Sequence, residues 1–491
     1  MGRHRSSHKA SLLGRGYDDH LDSPRVRFRR ALALCALTVV APGSAQYAIG
    51  RRWVGVVALF GWACLLVTGG MIAWRFRTNR SAMLDMLTDT DILLAARFGV
   101  ALVAIAWIAL LVDAWRMAKP FRLNFVRGGL IMLVNTALVV GVGASAVVAS
   151  QAIDAPRQVI KEVFTATKTS APLKGRYNIL LVGSDSGKDR VGIRPDSLTV
   201  ASVDADTGRT VLVSLPRNLQ NVPFNQDSPM HEVYPDGYNC GPECLINAVH
   251  TTAESRKDLY PDSDDPGLDA TIDAVEGATD LNINYFVMVN LKGFRSLVDA
   301  VGGVEVDVKT RIAMFGSTTV YKNEWIEPGQ QRLNGKEALW YSRSRYMADD
   351  YVRMGRQKCM MKYMADQLSP QKVVFNAQEI AASSKRLLRT DMPAKELGQF
   401  ADLVLKSRGE KISSVSLVPP QISVTAPDYG RIHRMIAKAI EKSEAGPASP
   451  SPSPSGSPEE KKKDESPDPN GAADTDNPRE ANSTDDLAEA C

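Results

Sequence analysis

The sequence predicts an extracytoplasmic α/β domain, layered αβα around a mixed central sheet and preceded by N-terminal transmembrane helices. Three observations carry this. Residues 53–74, 98–115 and 128–150 are long apolar runs. From about residue 175, short strand-like runs alternate with helical patterns, the signature of a layered α/β domain. After residue 445 the chain turns to Pro, Ser and acidic residues, the composition of a disordered tail that cannot bury a core.

The chain opens on a basic segment, 1–30, with Arg3, Arg5, Lys9, Arg15, Arg25, Arg27, Arg29 and Arg30. Its place beside apolar runs marks it as a cytoplasmic topology signal rather than a nucleic-acid site. Overall, 59 basic residues face 55 acidic ones, so nothing points to global polyanion binding. Within the membrane region, 31–150, "WVGVVALFGWACLLVTGGMIAW" carries no charge over 22 residues, and a helix needs about 20 apolar residues to cross a bilayer. A cleavable signal peptide would hold one short apolar core and stop. The segment 31–50 is apolar only at its start and then meets Pro42, Gly43, Ser44 and Gln46, so it is either re-entrant or a fourth span. Loop charge favours the re-entrant reading. Arg51, Arg52 and the acid-free 116–127 loop (Arg116, Lys119, Arg122, Arg127) then all lie inside, and everything after residue 150 lies outside. The expectation is a multi-pass protein of the cell membrane.

Residues 151–174 read as a juxtamembrane helix and linker. The globular domain, 175–440, then begins with the strand "NILLVG", followed by "SLTVASVD" (197–204), the turn "TGRT" and "TVLVSLPRN" (210–218). "NYFVMVNL", "GVEVDV" and "EALWYSRSR" read as further strands. "LKGFRSLVDAV", "DDYVRMGRQKCMMKYMADQL" and "APDYGRIHRMIAKAIEKSE" read as helices. An outside domain could hold one disulfide among Cys240, Cys244 and Cys359. "CGPEC" is a poor disulfide if helical. It is also an incomplete zinc half-site, lacking a second pair.

Charged residues cluster at the predicted strand ends. Asp185 follows the first strand, Arg194 and Asp196 precede the second, and Arg217 follows the third. Read as a strand, "WYSRSR" puts Arg343 and Arg345 on one face. On the next helix Asp350, Arg353 and Gln357 form one stripe, which leaves Arg356 and Lys358 off it and solvated. Ligands of α/β sheets sit outside such strand ends. Like charges 4 Å apart repel by about 4 kcal/mol at an effective dielectric near 20, so converging arginines call for an anion. A pyrophosphate suits planar guanidinium forks, and two carboxylates beside it suit Mg²⁺. Rival chemistries are thin. "GSDSG" centres on Asp185 instead of a serine, only six histidines are present, and no GxGxxG or Walker A pattern occurs.

In order, "NILLVGSDS", "RPDSLTVASVD", "LVSLPRNL", "FRSLVDAVGGVEVDV", "LNGKEALWYSRSR" and "DDYVRMGRQ" resemble the LytR-CpsA-Psr family of cell-wall glycopolymer ligases, with "CGPEC" and the several spans similar to its actinobacterial branch. The resemblance implies a phosphotransferase that moves a phospho-glycopolymer from a polyprenyl pyrophosphate, held in an apolar tunnel, onto peptidoglycan. It implies Asp185 and Asp196 as carboxylates near Mg²⁺ and pyrophosphate. Arg217, Arg343, Arg345, Arg353 and Gln357 match pyrophosphate contacts, and Asp350 matches an acceptor-side carboxylate. Two positions depart from the pattern: Asn218 stands where many members have Asp, and Leu245 where a helix lysine is usual. Arg194 is the candidate to replace the lost contact. Two other readings compete, a polyprenyl-pyrophosphate hydrolase and a non-catalytic wall-assembly or transcriptional-attenuator role. No DNA-binding motif supports the last.

Overall fold

The computed structural model describes residues 24–78, 86, 88–164, 166–185, 194–314, 324–346, 348–367, 388–408, 410–445, 482, 487 and 491. The first 23 residues of the basic segment and positions 446–481 of the acidic tail lie outside the described residues. The chain divides into two units, Met1–Arg157 and Gln158–Cys491.

The first unit is helical: α1 (Pro24–Val40), α2 (Ser44–Ile49), α3 (Arg52–Thr78), α4 (Thr90–Met117) and α5 (Phe125–Val163). Three stretches are long and apolar enough to cross a membrane, Arg52–Arg75, Thr90–Met117 and Phe125–Val163. α4 begins at Asp89, whose carboxylate accepts from the amides of Asp91 and Ile92. The ion pair Arg97–Asp154 (2.6 Å) and the bond from Arg157 Nε to the Thr90 carbonyl (3.2 Å) set α4 and α5 antiparallel. α1 also runs against α4: Leu34 packs with Ala114, and Trp107 Nε1 donates to the Thr38 carbonyl at 3.0 Å. The chain then turns back. Gln46 Nε2 donates to the Leu110 carbonyl and Arg51 pairs with Asp113 at 2.6 Å. The turn needs Gly43, which sits at φ +97°, where a Cβ would fall 2.6 Å from that of Ala58.

The second unit is built on a six-stranded sheet. Its strands are β1 (Arg176–Ser184), β2 (Pro195–Asp204), β3 (Thr210–Leu215), β4 (Tyr285–Asn290), β9 (Leu388–Thr390) and β10 (Ile412–Ser416), ordered β10-β3-β2-β1-β4-β9. β1 pairs antiparallel with β2 and parallel with β4. β3 pairs antiparallel with β2 and parallel with β10. The sheet is therefore mixed, and its strands alternate between two buried faces. Leu180, Val182, Leu198, Val200, Val211 and Val213 enter one core with helix α7 (Pro266–Thr279) and the last helix, α12 (Tyr429–Ala445). Leu181, Ala201, Val203 and Leu212 face the other way. A short helix α6 (Val249–Glu254) joins the first core, and α11 (Leu397–Lys406) covers Tyr177 and Tyr285 through Phe400.

Two small ladders, β5 (Val304–Val308) with β8 (Gly329–Leu333) and β6 (Ile312–Ala313) with β7 (Trp325–Ile326), pack on α8 (Leu291–Ala300) and α9 (Gly335–Arg343). Here the sequence expectation fails. "EALWYSRSR" is not a strand; it is α9 up to Arg343, with Ser344 and Arg345 in the following loop. The cause is local. Asn334 caps the helix, accepting from the amides of Lys336 and Glu337, and the Glu337 carboxylate returns to the Asn334 amide. Ala338 and Tyr341 then lie on one side, buried against Val298 and Val304.

The cysteines meet expectation in part: one bridge joins two of the three expected residues, and a second reaches Cys491. Two disulfides form, Cys240–Cys244 and Cys359–Cys491. The first lies in a turn, not a helix, with Cα atoms 5.4 Å apart, which removes the zinc half-site. The second brings the last residue back onto α10 (Asp350–Gln367). Leu487 is buried beside it, and Asn482 Nδ2 donates to the Tyr351 carbonyl at 2.7 Å. Asn482, Leu487 and Cys491 therefore sit against the second unit's own residues, contacts that composition alone did not reveal.

Candidate active site

β1 ends just before Asp185, β2 starts at Pro195–Asp196 and β3 ends just before Arg217. The two antiparallel pairings put all three positions on one edge of the sheet. α9 delivers Arg343 to this edge and the loop after it delivers Arg345. The first turns of α10 deliver Asp350, Arg353 and Gln357. Together with Arg194, these residues border one cavity of about 860 Å³, Asp350 through its ion pairs and the others as lining. Away from the charges its wall is apolar, including Val182, Val289, Phe294, Leu297, Trp340 and Met364.

The ion pairs knit the elements together. Arg343 donates to Asp185 at 3.1 Å. Arg217 bridges two carboxylates, Asp196 at 3.0 Å and Asp350 at 3.2 Å. Asp350 also meets Arg353 at 3.0 Å and Arg345 at 3.4 Å. The carboxylate expected on the acceptor side thus holds three guanidinium groups in register. Gln357 does not reach this network; its amide donates to the Ser342 carbonyl at 3.2 Å and so ties α10 to α9. Among the described residues, five arginines (194, 217, 343, 345, 353) stand against three aspartates (185, 196, 350), an excess of two positive charges at the rim. Arg353 feels this most. Burial lowers its pKa, Asp350 opposes that, and Arg345 and Arg217 lower it further. An anion at this point would relieve all three arginines.

Two cations of the same segment behave otherwise than expected. Arg356 and Lys358, read from the helix stripe as solvated, are 4% and 0% exposed. Arg356 Nη2 donates to the Ser344 carbonyl at 2.5 Å, and Lys358 Nζ donates to Ser414 and Ser416 at 2.7 and 2.5 Å. Neither residue lines the cavity. The stripe argument missed that the other side of α10 faces β10 and the returning tail. Burial pushes the Arg356 guanidinium down to about 10 and the Lys358 ammonium down to about 7.

Arg343 and Arg345 are not two residues of one strand face, since they leave a helix end in different directions. They still reach the same cavity. Sequence reasoning also missed Asn247, Asn290 and Tyr346, which line it. Asn247 lies two positions after Leu245, and its amide donates to the Arg217 carbonyl at 3.3 Å, fixing the loop where the usual lysine is absent. The Asn218 side-chain oxygen is buried without a hydrogen-bond partner among the described residues.

A model of the LytR_cpsA_psr family matches residues 145–444. Among curated proteins, the chain is 27% identical over 295 residues to the polyisoprenyl-teichoic acid–peptidoglycan teichoic acid transferase TagU of Enterococcus faecalis, covering 58% of this chain and 84% of that protein. It is 24% identical over 318 residues to the cell wall biosynthesis protein LcpA of Corynebacterium glutamicum, covering 56% of this chain and 57% of that one. The crystal structure of Bacillus subtilis TagV aligns with a TM-score of 0.41 at 24% identity, over 56% of this chain and 99% of that chain. With the family model spanning more than half of its length, the chain belongs to the LytR-CpsA-Psr family.

Proposed function

We propose that this protein transfers a phospho-glycopolymer from a polyprenyl pyrophosphate carrier onto peptidoglycan. The observation that carries the reading is the rim: four guanidinium groups gathered by three aspartates, with Arg194 lining the same cavity, at the charged end of an apolar wall. The apolar wall suits the lipid, and the excess positive charge suits the pyrophosphate. In the reaction, a peptidoglycan hydroxyl attacks the phosphorus that carries the glycan. The bond from that phosphorus to the bridging oxygen breaks, polyprenyl phosphate leaves with the electron pair, and the hydroxyl proton passes to solvent. Arg217, Arg343 and Arg345 hold the phosphate oxygens in place and balance charge that moves onto the leaving phosphate. Asp350 keeps these forks aligned.

We propose Asp185 and Asp196 as the protein's carboxylates for a magnesium ion. They are two carboxylates at one sheet edge, beside the point where phosphate oxygens would complete an oxygen set. When bound, Mg²⁺ would neutralise pyrophosphate oxygens. Similarity to TagU, named for teichoic acid and peptidoglycan, supports the substrate class. The loop charges, together with a hairpin of α1 and α2 that returns to the same end of α4, support a re-entrant first segment, three spans and a catalytic domain outside the cell. A reporter active only outside the cell, fused after residue 445, tests that topology.

The decisive experiment supplies labelled polyprenyl-pyrophosphate-linked oligosaccharide, Mg²⁺ and peptidoglycan to the purified full chain. Label in peptidoglycan supports transfer. Free phospho-oligosaccharide formed equally with and without peptidoglycan would make the protein a hydrolase. No turnover in either case would remove the enzymatic reading.

A further inference from the structure

We infer that Tyr346 forms the sugar subsite of the cavity, stacking on the first pyranose ring of the donor glycan. This rests on the donor reading above and adds a residue to it. Among the described residues from 158 onward, four large apolar or aromatic side chains are exposed: Leu173, Val233, Tyr346 and Val404. Tyr346, 46% exposed, is the one that lines the cavity. Exposed aromatic surface at a cavity rim marks a contact surface more often than chance.

The ring is supported from behind. Trp325 of β7 meets it edge to face, with centroids 5.7 Å apart and planes at 81°. The Arg311 guanidinium lies 4.2 Å from the Trp325 ring centre, and Glu327 holds Arg311 at 2.8 Å. Arg311, Trp325 and Tyr346 therefore form a buttressed stack whose last member lines the cavity. An edge-on contact steadies a ring without covering both of its faces.

Its position matches the order of groups in the donor, which runs lipid, phosphate, phosphate, sugar. The cavity offers an apolar wall, then Arg343 and Arg345, and Tyr346 follows Arg345 directly in the chain. One face of a pyranose presents C–H groups with partial positive charge, which the negative face of an aromatic ring attracts.

The test uses the full chain in detergent and two probes that differ only in the sugar: geranylgeranyl pyrophosphate, and the same lipid pyrophosphate bearing one N-acetylhexosamine. Tyr346→Ala should weaken the sugar-bearing probe by roughly two- to tenfold and leave the bare pyrophosphate unchanged, while Tyr346→Phe should stay close to wild type on both. Equal weakening of both probes would assign the ring to the pyrophosphate or to loop folding and overturn the inference. So would unchanged binding of both with slower transfer to peptidoglycan, which would assign the ring to the acceptor. If the wild-type chain holds neither probe, the donor reading falls first and the subsite falls with it. If it holds both and Tyr346→Ala does not discriminate, only the subsite falls.

Discussion

Residues 343–358 contain two pairs of cations that look alike in sequence and differ in every physical respect. Arg343 and Arg345 are partly exposed, meet Asp185 and Asp350, and border a cavity. Arg356 and Lys358 are buried, meet a carbonyl and two hydroxyls, and have no carboxylate among those bonds. The first pair is held by opposite charge and keeps its forks available to an anion. The described bonds of the second pair run to neutral oxygens and fasten α10 to the loop after α9 and to β10. Charge density along a chain therefore does not say which cations serve a ligand; the partner type does. A cation paired with carboxylates at a rim can exchange them for phosphate at little cost. A cation bonded to neutral acceptors in the core has nothing to exchange.

The largest expected effect tests the rim. Arg217→Ala removes the guanidinium that joins the carboxylates of Asp196 and Asp350. In the proposed reaction the same guanidinium holds phosphate oxygens, and two charge-assisted bonds there at about 1.5–3 kcal/mol each put the loss of turnover on the order of a thousandfold, while the melting temperature moves little because the ion pairs it leaves are partly exposed. A full thousandfold loss accompanied by collapse of the melt would make Arg217 structural and erase the contrast between the two pairs.

The back of α10 should respond in the opposite way. Arg356→Ala leaves the Ser344 carbonyl and the space of the guanidinium unfilled in the core, which costs about 2–4 kcal/mol. Cys491→Ser opens a loop closed across 132 residues, a loss of about 2–5 kcal/mol for such bridges. Both variants should melt well below wild type and, while folded, should bind lipid pyrophosphate normally. Binding lost in the folded state would show that the back face reports to the site.

How much of this was legible follows from sequence distance. Asp185, Asp196 and Arg217 could be read because period-two runs and a Pro or Gly mark the ends of their own strands. Arg343 and Arg345 reached the cavity as expected but on the wrong element, since a short apolar run suits a strand or a helix equally until the Asn334–Glu337 cap is weighed. Burial of Lys358 depends on Ser414 and Ser416, 56 and 58 positions away, and on a tail whose composition reads as solvent-loving. Tyr346 needs Trp325 from a separate ladder. Local periodicity holds no record of such pairings.

A pH experiment isolates Lys358. Burial pushes its ammonium down to about 7, well below the ordinary lysine value near 10.4. Below pH 7 both folded and unfolded chains carry the proton, and the folded state bears the whole cost of the buried charge. Between about pH 7 and 10.4 the unfolded chain binds one proton more than the folded one, so raising the pH favours folding, on the order of 1 kcal/mol per pH unit. Above that window neither chain is charged. Wild type should therefore gain stability from pH 7 to 9 relative to Lys358→Met. Parallel stability curves for the two proteins would mean that Lys358 stays charged through a stronger partner.

The smallest change separates charge from geometry at the rim. Arg345→Lys keeps the positive charge and gives up the planar fork that can meet two oxygens at once. Its present partner, Asp350 at 3.4 Å, also accepts from Arg217 and Arg353, so losing one donor there leaves the carboxylate satisfied. Stability should stay within about 0.5 kcal/mol, as for most partly exposed substitutions. Pyrophosphate affinity should fall roughly tenfold, the value of about one charge-assisted bond. The same exchange at position 356, Arg356→Lys, should leave affinity alone and lower the melt, because there the fork serves a core carbonyl. If Arg345→Lys lowers the melt and spares affinity, the two pairs are alike after all, and partner type does not tell a ligand-facing cation from a structural one.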